Sequence, residues 1–187
     1  MANSEYVSSA KPNVGGAISS ALAGTALPVD ATTNLDKGFK NLGYISEDGV
    51  TNEDKRESED LLAWGGDVVD TPQTSKSDTF KYKMIEALNI DVLKEVYGPE
   101  NVTGDLTTGI AIKSNSKELP VHPIVIETLL KNALKRIVIP HGKVKEVGEI
   151  TYVDGEVLGY EVTIQAYPDT NQNTHYEYIK TVTEGVL

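Results

Sequence analysis

"PIVIETLLKNALKRIVIP", residues 123–140, can be folded in two ways, and the choice decides the fold class. Leu130, Ala133, Leu134 and Ile137 would suit one face of a helix. Against that, residues 124–126 and 137–139 are six β-branched aliphatics, whose stiff χ1 angles favour extended backbone. The stretch therefore reads as two strands joined around Lys131 and Asn132. Its surroundings agree. In "KVKEVGEITYVDGEVLGYEVTIQAYPD" (143–169), Asp154-Gly155 is a hairpin turn dipeptide, and Tyr160, Val162, Ile164 and Ala166 alternate with Glu161, Thr163 and Gln165. "THYEYIKTV" (174–182) supplies a last strand.

Upstream, "DTFKYKMIEA" (78–87) places Phe80, Tyr82 and Met84 on one face and Lys81 and Lys83 on the other, as a half-buried strand does. "LLAWGGDVV" (61–69) reads as another strand. Leu62, Trp64 and Val68 share its inner face, while Gly65 and Gly66 mark a bulge or a close backbone approach. "LTTGIAIK" (106–113) is a further strand. One helix is expected in "NIDVLKEVYGP": Asn89 caps it, Asp91 suits the positive end of its dipole, Ile90, Leu93 and Tyr97 form its apolar stripe, and Gly98-Pro99 end it. The expected product is a mostly β domain whose core includes Trp64, Phe80, Tyr82, Leu93, Tyr97, Val162 and Ile164.

At 187 residues the chain has room for one ordinary domain. Residues 1–41 are rich in Gly, Ala, Ser and Thr, are broken by Pro12, Gly15, Gly16, Gly24 and Pro28, and show no sustained period. They read as an extended N-terminal arm whose Val14, Ile18, Leu22 and Leu27 need a partner surface. Lys11 and the stretch after it imitate a secretory signal, but large aliphatics are too sparse for its core. Residues 42–187 form the single β-rich domain. Within it "SEDGVTNEDKRESED" (46–60) holds seven acidic and two basic residues, and residues 47–60 read as a protruding acidic loop.

Much chemistry is excluded or unsupported. Without cysteine there are no disulfides, thiolate metal sites or cysteine nucleophiles, which fits assembly in a reducing cytosol. A net charge of −11 opposes binding to phosphate backbones, and no apolar run approaches the ~20 residues needed to span a bilayer. His122, His141 and His175 lack metal-ligand spacing, and there is no nucleophile elbow, dinucleotide fingerprint or Walker lysine. Asp169, Asn171 and Asn173 imitate the start of a calcium loop, but Thr174 and Lys180 stand where glycine and glutamate are required. Acidic pairs such as Glu47-Asp48 and Glu59-Asp60 lie in solvated surroundings that do not tune them for acid/base work. No catalytic, cofactor or metal site is expected, and the chain is not expected to be an enzyme.

The ordered set "LGYISEDGVT", "AWGGDVV", "TFKYKMIEALNIDVLKEVYG", "HPIVIE", "KRIVIPHGKVKEVGEITY" and "GYEVTIQAYPD" resembles the major tail tube proteins of long-tailed, noncontractile (siphovirus-type) bacteriophages, over about residues 42–169. The resemblance implies a β-sandwich or partly open β-barrel with one flanking short helix. It also implies a structural virion protein, assembled in the host cytoplasm into hexameric rings that stack as a tube around a tape-measure protein. Distal tail and tail terminator proteins would bound that tube, and DNA would pass along it without being bound. Closing a ring by pairing neighbours' strands would remove exposed sheet edges. An acidic bore would repel the DNA backbone, and Asp67, Glu149 and Glu161 are its candidate lining. Glu47, Asp48, Glu53, Asp54, Glu57, Glu59 and Asp60 would form an inter-ring loop. Two other readings compete: a β-sandwich carbohydrate or cell-surface binding module, and a tube protein of a contractile injection or secretion system.

Overall fold

In the computed structural model, which describes residues 2–13 and 15–181, the strands are β1 (Lys11–Pro12), β2 (Ile18–Ser20), β3 (Lys40–Asn41), β4 (Ile45–Ser58), β5 (Leu61–Leu62), β6 (Val68–Asp70), β7 (Gln73–Met84), β8 (Val102–Asp105), β9 (Gly109–Ile112), β10 (His122–Leu130), β11 (Ala133–Val147), β12 (Tyr160–Tyr167) and β13 (Tyr176–Thr181). The helix α1 is Ile90–Tyr97. The segment of ambiguous sequence is the β10–β11 hairpin, with Ile124 opposite Ile139 and Leu130 opposite Ala133 across the turn at Lys131 and Asn132. Around it the main sheet runs β3-β2-β10-β11-β12-β7-β4, and β1 joins the free side of β10. β13 continues the line of β12 along β11. The sheet is open, with β3 and β4 at its edges, so the fold is mainly β, not closed into a barrel, and consistent with a β-sandwich carrying one short helix.

Alternation sorts the side chains as the sequence predicts. Phe80, Tyr82 and Met84 of β7, Val162 and Ile164 of β12, and Ile124, Ile126 and Ile139 of the hairpin are all buried in one cluster with Val92, Leu93 and Val96 of α1. Burial of an aliphatic or aromatic side chain contributes roughly 1.5–3 kcal/mol, so this face carries most of the stability. Asn89 caps α1 by accepting from the Asp91 N–H at 3.0 Å. Gly98 ends it at φ 95°, a conformation that favours glycine. The buried stripe is Val92, Leu93 and Val96, with Tyr97 half-buried against the cluster.

Four expectations change. Residues 2–41 do not stand free: β2 pairs with β10, β3 pairs with β2, and Ile18 is fully buried in the chain's own core. The open edge of β10 supplies the partner that this segment needs, so no second copy is required. Farther along, Arg136 donates to the carbonyls of Asp30 and Thr33, both at 2.8 Å, and ties the segment over the opposite face of the sheet. Second, residues 47–60 are not a loop, because most of them belong to the 14-residue strand β4. Third, Trp64 is not in the core but fully exposed. Fourth, residues 148–159 form no strand on either side of the Asp154-Gly155 turn, and "LTTGIAIK" is extended only over β9. Val14 and Val182 lie outside the described residues.

Candidate assembly surface

β4 and β7 form a hairpin arm much longer than the core can cover. Their ladder runs from Val50 opposite Tyr82 to Glu57 opposite Ser75, and a final bulge pairs Ser58 with Gln73. The inner half of β7 is anchored, whereas residues 73–76 and 51–58 are exposed on both faces. Ion pairs along the arm, Lys55–Glu57 at 2.8 Å, Arg56–Asp54 at 3.3 Å and Lys76–Asp54 at 3.5 Å, are solvent-facing and contribute little each. The backbone ladder is what holds it.

The arm leaves the body at Asp78, whose side chain is buried to 1% exposure. Its carboxylate accepts from Asn52 Nδ2 at 2.8 Å on β4 and from His175 Nδ1 at 2.6 Å, and also from the Thr174 hydroxyl. Burial alone would push this carboxyl up, but those donors outweigh it and hold it down at about 2. One charge thus joins β4, β7 and the segment leading into β13. Nearby Asp169, from the rejected calcium loop, accepts from the Asn171 and Asn173 amides and the Tyr176 hydroxyl, so it closes a turn.

Beyond the arm, β5 and β6 carry the chain to a tip at residues 63–67. The Ala63 N–H donates to Asp67 O at 2.8 Å and the Gly66 N–H to Ala63 O at 3.0 Å. Gly65 and Gly66 take φ values of 123° and 99°, so this glycine pair makes a turn rather than a bulged strand. Around it Leu61, Leu62, Trp64, Val68 and Val69 are all more than half exposed. An exposed apolar group of this size is a candidate interaction surface. The sequence contains the sign of it, because a tryptophan before Gly-Gly-Asp sits where a turn must be.

The other expected residues scatter. Glu53, Asp54 and Glu57 lie on the arm, Glu59 and Asp60 just short of the tip, and Glu47 and Asp48 near its base. Asp67 is in the tip turn, whereas Glu161 is on β12 and Glu149 follows Gly148, whose N–H donates to Glu161 O at 2.8 Å. Glu161 is paired with Lys81 at 2.9 Å, and Lys83, Lys143 and Glu146 lie on the same face by register, with Lys145 reaching Gln165 there, so Glu161 sits among mixed charges.

A family model described as "Phage tail tube protein" matches residues 5–185, nearly the whole chain. The chain belongs to the phage tail tube protein family. Comparison with curated proteins gives no match. Membership in the tail tube family makes the protein a structural component of the phage tail, a non-enzymatic role. Among the described residues no helix is long and apolar enough to cross a membrane.

Proposed function

We propose that this tail tube protein assembles as hexameric rings stacked into the tube of a noncontractile, siphovirus-type tail, built in the host cytoplasm around a tape-measure protein and bounded by distal tail and tail terminator proteins. The tube conducts DNA without binding it, which the net charge of −11 per copy supports. The observation that carries the assembly reading is the β4–β7 arm: a protruding hairpin with an apolar tip that its own chain leaves in water. Such a tip raises solubility risk for an isolated monomer and becomes favourable once a neighbouring copy covers it.

Purified protein examined by negative-stain electron microscopy tests the proposal. Six-fold rings or hollow tubes are expected as concentration rises. A protein that remains a monodisperse monomer at high concentration overturns it.

A further inference from the structure

The arm tip has a charge pattern as well as an apolar centre. Residues 59–71 contain Glu59, Asp60, Asp67 and Asp70 and no basic residue. Among the described residues none of these acids has an ion-pair partner. The surface that complements such a tip is an apolar strip with lysines at its ends.

The sheet register supplies one. Lys11 of β1 lies opposite Leu129 of β10, Leu129 opposite Leu134 of β11, and Leu134 opposite Lys180 of β13. Directly opposed residues share a face, so the four form one row, leucines in the middle and a lysine at each end. Three strand spacings of ~4.8 Å make that row ~14 Å wide, the scale of a hairpin tip with a tryptophan. Leu129 and Leu134 are half-buried, whereas Lys11, Lys180 and the hairpin-turn residue Lys131 are exposed. Among the described residues these three lysines have no carboxylate partner. Beside Leu134 opens a recess of about 210 Å³ bordered by Ala31, Leu35, Glu127 and Arg136.

We propose that the arm tip of one copy docks on this row of a second copy, with Trp64 against Leu129 and Leu134, and Asp60, Asp67 and Asp70 facing Lys131, Lys11 and Lys180. The proposal rests on the assembly reading above and names the surface that receives the arm. Tip and row are different patches of the same chain, so the contact is head-to-tail and repeats from copy to copy, closing a ring or extending along an axis. Trp64 brings ~200 Å² of surface to the centre, and the acids and lysines form a rim that orients the approach. A second apolar recess, lined by Ile85, Leu88, Leu106, Val157 and Leu158, is the competing receiver. Its border carries Glu86, with Glu156 next to Val157, so it would set like charges against the tip.

Three charge variants decide the matter: Asp67→Lys with Asp70→Lys, Lys11→Glu with Lys180→Glu, and all four together. All the sites are exposed, so unfolding curves are expected to match the parent. Each pair alone is expected to slow assembly, followed by light scattering and microscopy, by ~10-fold or more, and the combined variant to recover it. A photo-cross-linking amino acid in place of Trp64 is expected to label residues 129–134 of another copy. Single-sided variants that assemble like the parent, a folded combined variant that stays inactive, or labelling of residues 85–88 or 157–158 would each overturn the tip-to-row contact while leaving the tube reading intact. A parent protein that never assembles overturns both.

Discussion

Glu95 and His122 form the buried pair that fixes α1 to the sheet. Glu95 is 7% exposed, and its two carboxylate oxygens lie 2.9 and 3.1 Å from His122 Nε2, while His122 Nδ1 faces Pro120 O at 3.1 Å. Both ring nitrogens therefore meet acceptors, and only the imidazolium satisfies both. Burial pushes His122 down, but the Glu95 carboxylate outweighs it and the net shift is upward. A raised folded pKa means that the pair's contribution is complete below the unfolded value near 6.5 and is lost as pH rises through the folded value. Denaturant unfolding measured across this window is expected to show stability falling with pH, and Glu95→Gln is expected to flatten the slope. Glu95→Ala should cost about 3 kcal/mol, since it leaves a buried partner uncompensated. Asp78 behaves oppositely. With its carboxyl held at about 2, its contribution persists above pH ~3.9 and disappears as acid takes the pH down through the folded value. Asp78→Ala is expected to lose about 3 kcal/mol in equilibrium unfolding, and hydrogen exchange is expected to accelerate first at the base of the arm.

At the scale of elements, the arm is separable from the body. Trp64→Ser at the exposed tip is expected to leave unfolding stability within ~0.5 kcal/mol while abolishing assembly, which calorimetry and microscopy together check. The contrast shows what the sequence reveals about each element. The β10–β11 hairpin is legible because β-branched triplets at 124–126 and 137–139 face each other in register, and β12 because Val162 and Ile164 alternate with polar residues. The arm is hidden for the opposite reason. β4 past Val50 is polar on both faces, so it has no period, and only its pairing with β7 makes it extended. Charge-bearing buried residues are equally silent: Glu95 sits in the helix stripe between Leu93 and Val96, and only the placement of His122 on β10 explains it.

For the whole molecule, the N-terminal segment governs how much of the sheet is finished before any partner arrives. Arg136, 4% exposed, pairs with Glu127 directly across the hairpin and holds the carbonyls of Asp30 and Thr33. Arg136→Ala is expected to cost about 3 kcal/mol and to open residues 21–36 to proteolysis, observable by mass spectrometry of the fragments. Assembly, in contrast, is expected to depend on ionic strength. Contacts between the acidic tip and lysines weaken as the Debye length shrinks from ~10 Å at 0.1 M salt toward ~3 Å at 1 M, so turbidity should develop more slowly in high salt.

Among the described residues β4 is also an outermost strand, 14 residues long, with no strand on its far side. An edge of that length would ordinarily template fibres, yet this one bristles with Glu47, Asp48, Glu53, Asp54, Lys55, Arg56 and Glu57. On the assembly reading, the acidic stretch is expected to act as a gatekeeper that opposes edge-to-edge pairing of free subunits. Neutralising it to serine and threonine should yield thioflavin-positive aggregates from otherwise folded protein.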